Sequence, residues 1–289
     1  MDHRYNSNAY PNRTCTDDLA TVQPLGSGRL NMDLKLKNKT AFITGSTAGI
    51  GYAIALSLAQ EGAHVLLNGG TEESVRSAVS ELKATFPEAQ ISGFAADFGD
   101  SVQVKQLIDQ LIATLPEIDI LVNNVGIYAA KTYQETSDAD WQSMLEVNLM
   151  SGVRLSRALL PGMKQRNWGR ILFVSSECAS LVPADLIAYS STKAAMQALS
   201  RGLAQTTTGS GVTVNSILPG STLTEGAEKF LNDQAASQGV RKEEVSDQFF
   251  KEVRTTSILG RFLDPREVAD TAVYLCSERS SGTNGAAIR

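Results

Sequence analysis

From Asp33 onward, short β-rich apolar runs alternate with longer stretches in which apolar residues recur at helical spacing. Ala41-Phe42-Ile43 precedes a helix expected over about 49–60, Val65-Leu66-Leu67 one from Thr71 to about 85, and Ile91 to Ala95 one over about 101–114. Ile118 to Val122 leads into a long helix over about 138–165, and Arg170 to Val174 into a helix that carries Tyr189 and ends near Gly209. Val212 to Ile217 is followed by a polar helical stretch, a helix from about Pro265 to Cys276, and a last strand at Ala286-Ala287-Ile288. Such alternation implies parallel strands, because each crossover needs a helix to return the chain. The expected fold class is α/β: one doubly wound parallel sheet between two helical layers, a single domain over residues 33–289. Two helix starts carry their own caps, Thr71 ahead of Glu72 and Glu73 and Ser137 ahead of Asp138 and Asp140, with the acids where the helix dipole favours them. Residues 1–32 show neither period and mix turn formers with polar groups, which predicts a disordered extension with Met32 as an alternative start.

Composition narrows the partner. The 289 residues are 42% hydrophobic and 20% charged, with a net charge of −5 and no lysine- or arginine-rich block. That disfavours nucleic acid and anionic membrane surfaces and favours a small molecule. No stretch reads as a membrane span or a signal peptide, so a cytoplasmic protein is expected. Cys15, Cys178 and Cys276 are odd in number and far apart, which predicts reduced thiols rather than a disulfide framework or a metal clip. With only His3 and His64 present, a histidine triad or a multi-histidine metal site is disfavoured, and no metal is expected.

Proton transfer therefore falls to another group. Tyr189 and Lys193 stand four apart, on one face of a helix. A phenol titrates near ~10, and a cation about 4 Å away at an effective dielectric of about 20 favours the phenolate by roughly 4 kcal/mol. Tyr189 is expected to exchange protons near neutral pH on that account. The first strand runs into Thr44-Gly45-Ser46-Thr47-Ala48-Gly49-Ile50-Gly51, a glycine loop opening a helix, where backbone can approach a pyrophosphate. At the end of the second strand Asn68-Gly69-Gly70-Thr71 offers neither the carboxylate that suits a ribose 2′-hydroxyl nor a cation for a 2′-phosphate. Both NAD(H) and NADP(H) stay open, with NADP(H) favoured because nothing there repels a phosphate. Asp97, after the third strand, reads equally as an adenine contact and as a solvated acid at a helix start.

Taken together, Thr44 to Gly51, Asn123-Asn124-Val125-Gly126, Asn148, Ser176, Tyr189 with Lys193, and Pro219-Gly220 resemble the short-chain dehydrogenase/reductase family over about residues 36–289. The resemblance implies a Rossmann-type domain binding NAD(H) or NADP(H), hydride transfer between nicotinamide and a carbonyl or secondary alcohol carbon, and a homotetramer or homodimer. It implies that Tyr189 is the acid/base, that Lys193 binds the nicotinamide ribose and lowers the tyrosine pKa, that Ser176 polarises the substrate oxygen, and that Asn148 holds a relay water. It places the cofactor on Gly45, Ser46, Thr47, Gly49, Ile50, Gly51, Asn68, Gly69, Asp97, Phe98, Asn124, Val125, Gly126, Tyr189, Lys193, Pro219, Gly220, Thr222 and Thr224. Thr224 resembles the nicotinamide-amide contact and Asn123 the residue steadying the central strand. Val125 stands where alanine is usual, Gly70 where NADP-using members often carry arginine, and the chain stops at Arg289 where relatives continue, so a truncated C-terminus with a weakened interface is expected.

Between about 221 and 258, Phe230, Leu231, Val245, Phe249, Phe250 and Val253 lie among many charges, which predicts amphipathic helices forming a lid. Tyr128, Cys178, Leu181, Val182 and Leu186 are candidates for the pocket wall. With no arginine clamp evident, an apolar pocket for a neutral carbonyl or alcohol is expected. A 3-oxoacyl-thioester reductase is the alternative within the class, and a non-catalytic dinucleotide-binding regulator the alternative outside it.

Overall fold

The computed structural model describes residues 32–115 and 117–289, so the expected N-terminal extension and Cys15 lie outside the described residues, apart from Met32. Residues 34–289 form one unit. Along the chain run β1 (Thr40–Ile43), α1 (Gly49–Gln60), β2 (His64–Gly69), α2 (Glu72–Thr85), β3 (Ile91–Ala95), α3 (Ser101–Thr114) and β4 (Ile120–Asn123). Then come α4 (Asp138–Met144), a π turn (Leu145–Met150), α5 (Ser151–Gln165), β5 (Gly169–Val174), the short α6 (Cys178–Leu181), α7 (Ile187–Thr206) and β6 (Val212–Ile217). The remainder is α8 (Glu225–Gln238), α9 (Lys242–Gln248) with a second π turn (Phe249–Val253), α10 (Pro265–Cys276) and β7 (Ala287–Ile288).

The seven strands are parallel, in the order β3-β2-β1-β4-β5-β6-β7. Period-two alternation in each strand feeds two cores. Ile43, Val65, Leu67, Val122 and Leu172 pack under α1, α2 and α10, while Phe42, Leu66, Leu121, Ile171 and Phe173 pack under α3, α5 and α7. The strand order reverses between β1 and β4, the switch point at which open α/β sheets bind ligands beyond their carboxyl ends.

Both expected caps are present. Thr71 Oγ1 accepts the Ser74 amide at 3.2 Å, and Ser137 and Asp140 form a reciprocal capping box. Two expectations change. The helix expected over 138–165 is interrupted by the π turn at Leu145–Met150, where the Ser151 amide bonds back to the Glu146 carbonyl, so the extra residue places Asn148 at a widened turn. β4 starts at Ile120 rather than Ile118, because Asp119 already closes a reciprocal pair with Thr40, its amide to the Thr40 carbonyl at 2.9 Å and its carboxylate to the Thr40 amide at 3.1 Å. Among the described residues no helix is long and apolar enough to cross a membrane.

Ile54 on α1 is fully buried in the first core. Ile54→Ala is expected to lower unfolding stability by about 2–5 kcal/mol, read as a shift of the urea midpoint at unchanged slope.

Candidate active site

The cleft at the switch point is built by the glycine loop. Gly45 and Gly49 both sit at φ +59°, the left-handed region that glycine enters without strain. A Cβ on Gly51 would stand 2.4 Å from the Gly45 carbonyl oxygen and 2.5 Å from Asn124 Nδ2, so α1 can begin this close to β4 only with glycine there. Ala48 offers no side-chain cap and the first turn of α1 holds no acid, which leaves its end amides and its dipole facing an incoming anion. Ser46 and Asn68 shape the loop. Ser46 Oγ donates to the Ile43 carbonyl and accepts the Asn68 amide, while Asn68 Oδ1 accepts the Gly45 amide at 3.0 Å and Nδ2 donates to the Phe94 carbonyl.

Further along the sheet edge, Thr47 reaches Gly69, where a Cβ would lie 2.6 Å from the threonine methyl, whereas Gly70 borders open space. Asp97 is exposed at the end of β3 and its Oδ1 accepts the Gly99 amide at 2.8 Å. Phe98 points into the second core, so its side chain packs rather than faces the cleft. The expected steadying role of Asn123 is corrected: its amide is buried without a hydrogen-bond partner. Asn124 ties the sheet instead, its side chain donating to the carbonyls of Thr44 and Gly45 at 2.9 and 2.8 Å while its own amide and that of Val125 reach Thr44 Oγ1.

At the other end of the cleft four segments converge. Lys193 is buried on α7 and its Nζ donates to the Val174 carbonyl at the end of β5, at 2.8 Å. A Cβ on Gly126 would stand 3.3 Å from Lys193 Nζ and 3.4 Å from Asn148 Oδ1, which brings these three residues into one cluster. Asn148 uses its side chain as a clamp: Oδ1 accepts the Ile127 amide at 2.7 Å, and Nδ2 donates to the Ile127 carbonyl and to Thr192 Oγ1. Thr192 Oγ1 in turn donates to the Tyr189 carbonyl. Ser176 follows β5, and its Oγ accepts the Cys178 amide at 3.2 Å. Tyr128 packs edge-on against Tyr189 with ring centroids 6.0 Å apart.

The expected electrostatics of the Tyr189–Lys193 pair are corrected. Burial pushes the Tyr189 phenol up to about 12, opposed by the nearby Ser176 hydroxyl, and burial pulls Lys193 down to about 8. The ammonium is committed to the Val174 carbonyl and lies 5.6 Å from the tyrosine ring centroid, so desolvation outweighs attraction between the two groups. Both shifts favour the uncharged form, the neutral phenol and the neutral amine.

α8 and α9 follow Ser221–Leu223, which is bridged to Leu263. Thr224 caps α8, and its methyl would stand 3.2 Å from a Cβ on Gly49, so the start of α8 lies against the glycine loop. Pro219 accepts the Glu177 amide, and Thr222 Oγ1 donates to the Gly220 carbonyl. Charged groups lie near the start of α6. Glu177, Asp185 and Arg254 all act electrostatically on the Cys178 thiol, which burial pushes up. Sequence reasoning missed these three. Adjacency to Ser176 was a signal for Glu177, whereas Arg254, distant in the chain, is brought near Cys178 only by the fold.

A family model described as short chain dehydrogenase matches residues 39–235. The chain is a short-chain dehydrogenase. It is 44% identical over 258 residues to the uncharacterized oxidoreductase YvaG of Bacillus subtilis (strain 168), covering 89% of this chain and 96% of that protein. It is 33% identical over 248 residues to D-beta-hydroxybutyrate dehydrogenase of Rhizobium meliloti (strain 1021), covering 86% of this chain and 95% of that protein. Among solved structures it is similar to L-sorbose reductase from Gluconobacter frateurii complexed with NADPH and L-sorbose, at 33% identity and a TM-score of 0.83, covering 89% and 96% of the two chains. This dehydrogenase is an NAD(P)-dependent oxidoreductase of Rossmann type, and the uncapped α1 start beside the clash-limited Gly51 fits a nicotinamide dinucleotide.

Lys193 yields a pH signature. Its folded pKa of about 8 lies below the ordinary 10.5, so between those values the unfolded chain binds more protons and stability rises with pH. Lys193→Met removes that group, and the stability difference between wild type and variant is expected to move in favour of wild type from pH 8 to 10, by at most about 1.4 kcal/mol per pH unit. Urea midpoints across that range measure it.

Proposed function

We propose that the enzyme interconverts a carbonyl and a secondary alcohol on a small molecule, with Tyr189 as the proton donor and acceptor and Ser176, Lys193 and Asn148 completing the site. The observation that carries this reading is the partly buried, neutral Tyr189 phenol beside Ser176, with Lys193 buried behind it and held by the Val174 carbonyl. Bound nicotinamide supplies or receives the hydride. In the reducing direction negative charge grows on the substrate oxygen, and two hydroxyls meet it: Ser176 holds the oxygen and Tyr189 gives it a proton. Lys193, poised near pH 8, can return a proton towards the phenol, and the Asn148 clamp keeps α7 and the loop at Ile127 in register. Residues 221–258 act as a lid whose base at Ser221–Leu223 is anchored to Leu263.

For the cofactor, the segment Asn68-Gly69-Gly70 carries no carboxylate, and the similar sorbose reductase is described with NADPH, which together support NADP(H) as the preferred form. Ser46 and Asn68 act through loop shape, while Gly45, Thr47, Gly49, Ile50, Gly51, Asn124, Val125, Gly126, Pro219, Gly220, Thr222 and Thr224 line the path from pyrophosphate to nicotinamide.

Tyr189→Phe is expected to keep dinucleotide affinity, read by quenching of intrinsic tryptophan fluorescence, and to lose at least 10²-fold in turnover. Turnover within threefold of wild type would put the proton on another group. Because a side chain at Gly70 meets open space, Gly70→Arg should raise the preference for NADPH over NADH by about tenfold or more in the same titration.

A further inference from the structure

Glu177 follows Ser176 directly, and the fold fixes it from both sides. Its amide donates to the Pro219 carbonyl at 3.0 Å. Its carboxylate lies against Gly220, where a Cβ would come within 3.3 Å of Oε2. The residue is half-buried, yet among the described residues neither of its carboxylate oxygens has a hydrogen-bond or ion-pair partner. Such a group loses hydration with nothing to replace it. Other partly enclosed acids in this chain are paired, Asp140 with Lys131 at 2.9 Å and Glu146 with Arg154. An unpaired carboxylate next to the hydroxyl that holds the reacting oxygen is an acceptor awaiting a donor from the substrate.

The surrounding charges define what kind of donor. Arg254, on the lid, is half-buried and makes no ion pair among the described residues, its guanidinium donating to the Val253 carbonyl and lying 5.6 Å over the Phe249 ring. Its charge reaches Cys178, as do those of Glu177 and Asp185. An anionic substrate meets two carboxylates and a cationic one meets the guanidinium, whereas a neutral molecule rich in hydroxyls meets no repulsion and can satisfy Glu177. Consecutive residues are about 3.8 Å apart at Cα, and the serine and glutamate side chains add only a few ångströms to that, so a group held by Glu177 belongs to the same small molecule as the oxygen held by Ser176 and lies within a few carbons of it.

We propose that Glu177 accepts a hydrogen bond from a substrate hydroxyl near the reacting carbon, which makes this enzyme selective for hydroxyketones, open-chain sugars and polyols over plain ketones. The assignment rests on the reading of Ser176 and Tyr189 given above. It makes Glu177 a specificity residue and leaves the proton and hydride steps unchanged.

A matched pair of four-carbon ketones tests it, erythrulose with three hydroxyls and butanone with none, each followed by nicotinamide absorbance with NADPH and with NADH. Wild type should favour erythrulose in kcat/KM by tenfold or more. Glu177→Ala should lower that preference by about 10- to 100-fold, mainly through KM for erythrulose, and Glu177→Gln by less, since the amide oxygen still accepts. A wild-type enzyme that reduces butanone as well as erythrulose overturns the proposal, as does a preference that stays within twofold in Glu177→Ala. A loss matched by an equal rise in the fluorescence-measured Kd for NADPH also overturns it, because Glu177 would then serve the cofactor. If wild type reduces neither ketone but reduces another carbonyl lacking nearby hydroxyls, this proposal alone fails. If it reduces no carbonyl and oxidises no alcohol with either cofactor, the reading of Ser176 and Tyr189 fails first.

Discussion

The structure depends on one junction, the Lys193 ammonium held by the Val174 carbonyl where β5 ends. A buried ammonium is costly unless its protons are bonded, and here the terminal carbonyl of a central strand provides that partner. The backbone closes the same joint, since Ser175 Oγ donates to the Lys193 carbonyl at 2.8 Å. α7 is therefore locked to the strand that delivers Ser176. Through Thr192 the lock extends to Asn148 and the π turn, and through Asn148 to the loop after β4. Strand, helix and loop are fixed together by groups that either serve the chemistry or stand beside it.

The same desolvation that makes this junction costly sets the chemical state of the site. Burial opposes charge on both partners, so the phenol stays neutral and the amine becomes easier to deprotonate. A protonated phenol suits donation to a carbonyl oxygen. At the opposite end of the cleft charge is handled by backbone alone: α1 begins without a side-chain cap, and Gly51 lets that beginning press against β4. One end is thus prepared for an anion and the other for proton exchange, with the Thr44–Asn124 hydrogen bonds holding the two strands between them.

Much of this was legible in the chain. Alternating periods gave the strand and helix order, because one face of each strand and helix must leave water whatever its neighbours are. Thr71 and Ser137 announced helix starts, because capping is satisfied within a few residues. The glycines of the first loop pointed to a close approach. What failed was of another kind. Asn123 and Asn124 are neighbours of the same type, and only the pairing of β4 with β1 decides which amide meets Thr44. Helical spacing put Tyr189 and Lys193 on one face, but it could not show that the ammonium would turn to a strand carbonyl.

The sequence by itself determined the class of fold, the place of the glycine loop and the helix starts at Thr71 and Ser137, since each follows from local periodicity or from residue chemistry. Tertiary structure alone decided the direction of the Tyr189 and Lys193 shifts, the π turn at Asn148 and the mixed charge around Cys178. These depend on desolvation and on interactions between segments distant in the chain, such as Arg254 after the second π turn and Glu177 after β5 both acting on one thiol.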